Sequence, residues 1–403
     1  MQKKLFLAGG VLLLAFAVIL TAGCVGEDTS GKPTVEVVEI AAGQQVSSLG
    51  MGQIDGMINW QPNIAAATES GIGKVISYSQ NLPRSDGKTW EGHTCCVFGA
   101  NEQGVENNNL AAVLTGLMLL GNEYITEHPD KSAAFVADWL YGNTDPTFGD
   151  KTVSGTSIIK ASLPTIRFTT EISDTWLASN REFLETQRTL GTIVNNLKNT
   201  SREETEKLIY DFKPYRTAVE ALNAGALPEP VSKDIAIGHL PSDHDAPLFV
   251  LLKNWEYFKD NCNAYLKPEA DKTGKIDKAE LYVNGKKVCN VSLVEGNGGP
   301  NLMTMLQTNT IQYAVAGTPP FLSSIDTKPG LKILAPIMTK GSALVVAADV
   351  PANNWNEFVA WAKDRSAAGK NLIIAIPQVK SIQDVQLKDA LESAGITYKI
   401  KSA

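Results

Sequence analysis

Asp234–Leu252 reads DIAIGHLPSDHDAPLFVLL, and the order of residue types in it decides the fold. Ile235, Ala236 and Ile237 make a short buried strand. A glycine follows, then a polar turn holding Ser242, Asp243, His244 and Asp245, then an apolar helix start. Ligands of open α/β sheets sit beyond the carboxyl ends of strands, so these four side chains are placed to line a cleft. Asp245 would also serve as a plain helix cap. His and Asp are metal ligands, but no second His/Cys group stands at metal-ligand spacing, so neither metal nor cofactor is expected.

The two ends of the chain carry one rhythm. Asn354 with Glu357 is a capping-box pattern, a helix runs on through Ala367, and Gly369 stops it. Residues 371–376 read as a buried strand, 381–395 as a capped helix and its glycine stop, and 397–401 as a strand. At the other end, 35–40, 54–60 and 74–79 read as strands, with helical stretches at 44–50 and 62–69 between them. Such alternation indicates a parallel sheet covered by helices. Asn284-Gly285 between alternating residues is a hairpin signal within a charged segment at 267–294, read as a surface insertion. Residues 131–139, 174–198 and 202–221 read as helices on an outer surface. Gly225–Lys233 (GALPEPVSK) is Pro-rich and suited to a linker.

The stretch at 234–252 resembles the opening strand, ligand loop and first helix of substrate-binding proteins of the nitrate/sulfonate/taurine (NMT1-like) family of ABC importers. In that family this segment opens the mature protein, whereas here it starts past the middle. The resemblance therefore implies a circularly permuted, two-lobed α/β fold of the periplasmic-binding-protein type II. One lobe would hold 35–94 with 346–403, the other 95–345, and two crossover strands would join them. It also implies a function without chemistry: capture of a small anion (nitrate, a sulfonate, taurine or bicarbonate) and delivery to a permease driven by an ATPase.

The N-terminus fits that role. Lys3 and Lys4 precede an apolar run at Leu5–Leu20, and Thr21-Ala-Gly-Cys24 follows. This is the layout of a secretory signal, 1–23, with Cys24 as the lipid-attachment site of a lipoprotein and 24–34 as its tether. The protein is then expected at the cell surface, on the outer side of the cytoplasmic membrane. A net charge of −7 leaves no basic stripe for nucleic acid. Export permits disulfides, and Cys262–Cys289 is a candidate bridge.

Other stretches add candidates. Gly317-Thr318-Pro319 ends an apolar strand and resembles the family's second ligand loop. Lys340 and Ser342 lie at the expected first crossover. Ser381 opens a helix and offers a hydroxyl at its N-terminus. Trp60 ends a strand where the family places an aromatic. His93 falls where the chain returns to the other lobe, just before Cys95-Cys96-Val-Phe98. The pyrimidine synthases of thiamine biosynthesis share the fold and carry a Cys-rich motif followed by Phe. Iron or cofactor on Cys95, Cys96 and His93 would favour that enzyme, while Trp60 and His93 would also tolerate a heteroaromatic solute such as a thiamine precursor. A surface sensor that uses the same flytrap without transport is the third reading.

Overall fold

The computed structural model describes residues 31–270 and 273–401. The expected export segment and Cys24 lie outside these residues. The described chain is a mixed α/β protein of several sheets and fifteen α-helices. No helix among the described residues is long and apolar enough to cross a membrane.

Two large sheets organise it. The first runs in the order Thr397–Lys401, Thr34–Glu39, Ile373–Ile376, Gly56–Trp60, Ser342–Ala347, Gly73–Tyr78. Its strands pair in parallel except Ser342–Ala347, which is antiparallel to both neighbours. The second runs Lys332–Pro336, Cys96–Ala100, Tyr313–Gly317, Ile235–His239, Lys286–Glu295, Lys278–Val283, Ala264–Pro268. Here both Cys96–Ala100 and Lys278–Val283 are antiparallel to their two neighbours. Ser342–Ala347 and Cys96–Ala100 are each entered from the other sheet: the chain leaves Tyr78 for Cys96, and leaves Pro336 for Ser342. The strand Ser342–Ala347 therefore lies wholly in the first sheet, and the division expected at 345/346 falls inside it.

The two connections run side by side. Thr94 bridges Thr339, and the Cys95 amide donates to the Met338 carbonyl at 3.1 Å. The strand Ser342–Ala347, aliphatic on both faces, is buried from Ser342 to Val346, as a helix-covered sheet requires. The first and last described strands are neighbours: Thr34 pairs with Thr397, and their hydroxyls lie 2.9 Å apart.

Several local readings hold. Asn354 Oδ1 accepts the Glu357 amide at 3.0 Å, and Ser381 caps its helix by accepting the Asp384 amide at 3.2 Å. The Asn284-Gly285 turn has positive φ at both residues, as a tight primed hairpin needs.

Three readings are corrected. The strand that leaves that turn is no surface insertion: residues 291–295 pair in parallel with Ile235–His239, and Val291 and Leu293 are core. The helix expected over 174–198 stops at Thr189, because Gly191 turns the chain and the Asp326 carboxylate then accepts the amides of Val194, Asn195 and Leu197. Cys262 and Cys289 are free thiols, not a bridge. The linker at 225–233 has no regular structure, yet Leu227 is buried and tied to Asn263 through both its amide and its carbonyl.

Candidate functional site

Strand ends from both sheets meet beside the two paired connections. From the second sheet comes the loop after His239. Ser242 is buried and donates to the Gln61 carbonyl at 2.8 Å, so it reaches the end of Gly56–Trp60 in the first sheet. The same hydroxyl accepts the His244 amide at 3.1 Å, which shapes the turn. Asp243 accepts a short hydrogen bond from Ser162. From the first sheet, Trp60 pairs with Ser342, whose hydroxyl accepts from Gln383 at 2.7 Å. The Gly341 carbonyl accepts both the Gln61 amide at 3.0 Å and the His244 Nε2–H at 2.9 Å.

His244 is the centre of this arrangement. With Nε2 donating to Gly341, its Nδ1 faces Cys95 Sγ at 3.6 Å and Cys96 Sγ at 3.7 Å, and the two sulfurs are 4.0 Å apart. All three side chains are buried. Gly341 makes the contact possible: a Cβ there would lie 2.5 Å from His244 Nε2, and its φ of +81° suits glycine.

His93 lies apart from the sulfurs. Its Nδ1–H donates to the Thr94 carbonyl at 2.7 Å, and Nε2 accepts from the Ser79 hydroxyl at 2.7 Å. It is His244, 148 residues from Cys96 in sequence, that faces the thiols. Thr318 donates its amide to the Cys95 carbonyl at 3.0 Å, which brings the Gly317-Thr318 turn to the cluster. Pro319 faces the other way, its carbonyl accepting from Gln187 at 3.3 Å. Lys340 is half-buried with φ of +67°, at the end of the second connection. Ser381 serves as a helix cap, and it is Gln383 that reaches Ser342.

Sequence reading left out Gln61, Ser162, Thr94, Gly341 and Gln383. Gln61 spans the junction: its Nε2 donates to the Thr165 hydroxyl at 2.9 Å while Oε1 accepts the Ala65 amide at 3.0 Å. A polar side chain directly after an apolar strand was the available signal for it.

Burial sets the protonation states. Asp243 is pushed up to about 6 by loss of water, against the pull of His244 and Ser162. Asp245 is driven well above the carboxylate range by burial and then by nearby Cys96, with smaller opposing pulls from His244 and the Leu240 backbone. Neither Asp245 oxygen, nor Asp243 Oδ1, nor Trp60 Nε1 has a hydrogen-bond partner. Burial pulls His93 down to about 4. The Cys96 thiol is held well above its ordinary value by its hydrogen bond with Cys95 and by burial. For His244, burial pulls down while Cys96, Asp243 and the Gly341 carbonyl pull up. The upward pulls win, so this imidazole holds its proton more tightly than a free histidine does.

One surface cavity lies elsewhere. It has about 640 Å³ and is lined by Asn122, Arg167, Thr169 and Tyr215 among others. The cluster at the junction is closed over, so a ligand would enter by separation of the elements around it.

A mixed α/β protein with strand ends converging on a buried polar junction is the architecture of a binding protein of the periplasmic type. The NMT1-like family model matches residues 20–141 and 228–401, and the chain belongs to that family. The family includes substrate-binding proteins for anions and relatives of the thiamine pyrimidine synthases. An uncharacterized protein of Methanocaldococcus jannaschii is 33% identical over 107 residues, which is 26% of this chain and 71% of that protein. No solved structure matches.

Proposed function

We propose that this chain is the solute-capturing component of an ABC importer, anchored by lipid at Cys24 on the outer side of the cytoplasmic membrane. Each large sheet is the core of one lobe, the paired connections are the hinge, and the junction is the solute cleft. The observation that carries this reading is the hydrogen bond from Ser242 to the Gln61 carbonyl, which ties a strand end of one sheet to a strand end of the other. The lobes are those of a type II fold in circularly permuted order. Support comes from the order of each sheet, with one reversed strand fed from the other sheet, and from the adjacency of the first and last strands.

The solute is a small anion such as nitrate, a sulfonate, taurine or bicarbonate. Two buried carboxyls would repel an anion if both were ionised. Asp245 is held neutral, and a neutral carboxyl is a hydrogen-bond donor. The Asp245 carboxyl, whose oxygens have no hydrogen-bond partner, then suits an acceptor-rich solute. Captured solute passes to a membrane permease and its ATPase.

The test is a thermal-shift screen with nitrate, bicarbonate, taurine, alkanesulfonates, small carboxylates and thiamine precursors. A ligand of the folded state at a hundred times its dissociation constant adds about 2.7 kcal/mol. One clear responder recovered unchanged supports capture. One observation favours a second reading: the Cys95–Cys96–His244 cluster suits an enzyme related to the pyrimidine synthases. Recovery of a responder in altered form would establish that reading and overturn the first.

A further inference from the structure

We propose that Cys95, Cys96 and His244 form a binding site for a thiophilic d10 cation, zinc foremost, with a fourth coordination position left open by the protein. The site goes beyond solute capture and does not depend on it.

Three donor atoms, two thiol sulfurs and one imidazole nitrogen, lie within 4.8 Å of one another at full burial. Tetrahedral zinc has Zn–S near 2.3 Å and Zn–N near 2.0–2.1 Å, which sets the S···S edge at about 3.8 Å and the S···N edges at about 3.6 Å. The observed edges are 4.0, 3.6 and 3.7 Å. The triangle therefore accepts the ion with shifts of a few tenths of an ångström. Neighbouring residues of a regular strand face opposite ways. Cys95 stands just ahead of the strand Cys96–Ala100, and this allows both sulfurs to turn to one side.

The imidazole is set for ligation. Its Nε2–H is committed to the Gly341 carbonyl, so the Nδ1 lone pair points at the sulfurs. A ligand histidine held by a backbone carbonyl through its other nitrogen is the usual outer-shell arrangement of metal sites. Soft thiolates with imidazole select zinc or cuprous ion over calcium or magnesium. Binding zinc expels one proton from each thiol, and two thiolates with the dication make a neutral centre that tolerates burial. Among the described residues no carboxylate joins the group. Three protein ligands with one free position is the pattern of open zinc sites, where a water or another donor completes the shell.

The test titrates zinc into the full chain, stripped by chelator and kept reduced, in competition with a chromophoric chelator. Cadmium in a parallel titration reports thiolate ligation through its sulfur-to-metal charge-transfer absorption. The expected result is one zinc per chain, two protons released per zinc, and a thiolate–cadmium band. Cys95→Ser and Cys96→Ser should each remove the band's full intensity and weaken zinc roughly a hundredfold. Gly341→Ala, which drives a methyl into His244, should weaken zinc by about ten- to a hundredfold, while Cys262→Ser changes nothing. Circular dichroism checks that each variant is folded, and His244→Gln stands in for a cysteine variant that is not. Absence of stoichiometric zinc, or undiminished binding in folded Cys96→Ser or His244→Gln, would overturn the proposal. Either failure leaves the solute screen unaffected.

Discussion

Asp243→Asn should stabilise this protein at neutral pH, and by an amount that depends on pH. The Asp243 carboxyl is fully buried and titrates near 6, against about 3.8 when exposed. The folded state thus holds this proton more tightly than the unfolded state. Between pH 4 and 6 the folded chain binds more protons, so stability falls as pH rises through that window. The gap is about two pH units, and at about 1.4 kcal/mol per unit the full penalty is about 3 kcal/mol by pH 7. Asparagine imitates the neutral acid and keeps an acceptor for Ser162. The variant should therefore be more stable than the wild type by up to about 3 kcal/mol at pH 7, and equal to it below about pH 4. His93 has the opposite linkage. Its pKa falls from 6.5 to about 4 on burial, so the folded chain resists the proton that the unfolded chain accepts. Its contribution declines as pH falls from 6.5 to 4, by about 3 kcal/mol. In the wild type these two terms oppose each other; in Asp243→Asn the acid loss due to His93 stands uncovered. Urea unfolding of metal-stripped protein at pH 4, 5, 6 and 7 measures both curves. A variant that is less stable at every pH, or a difference that does not change with pH, would refute the reasoning.

Two further outcomes follow from single contacts. Ser242→Ala removes the hydrogen bond to the Gln61 carbonyl and leaves that buried acceptor unpaired, at a cost of about 1–3 kcal/mol. The loss falls on the closed state, so solute affinity should drop by about tenfold or more while unfolding by urea changes less; equal affinity in calorimetry would count against the junction as the cleft. Asn263→Ala cuts both ties to Leu227 and should expose 225–233 to limited proteolysis, which leaves the wild type uncut under the same conditions. An unchanged digestion pattern would show that burial of Leu227 alone holds the segment.

The strands, the caps and the hairpin turn were legible because each depends on residues close in sequence. Asn354 with Glu357, Ser381 with Asp384 and Asn284-Gly285 act within a few positions, so their chemistry shows in the sequence itself. The place of Lys286–Glu295 was not legible, because the charged hairpin that leads into it masks a strand whose second half is core. The loop at 190–198 escaped for a related reason: its helical composition is overridden by the Asp326 carboxylate, more than 120 residues away. The site shows the same division. Ser242 to Asp245 were marked by standing after a strand. The Cys95–Cys96–His244 group has no local spacing and arises only when the loop after His239 folds onto the first connection. Gly341 has its role through its closeness to His244, a residue about a hundred positions away, which no local pattern shows.

The central claim is capture of a solute at the junction of the two sheets, without chemistry. It is tested most directly by titration calorimetry of the compound that responds in the thermal-shift screen. Wild type and Ser242→Ala would be compared, and the compound recovered by mass spectrometry afterwards. The account predicts one site per chain, weaker binding in the variant, and recovery of the compound with its mass unchanged. Equal binding by the two proteins, or a compound returned with altered mass, would contradict it.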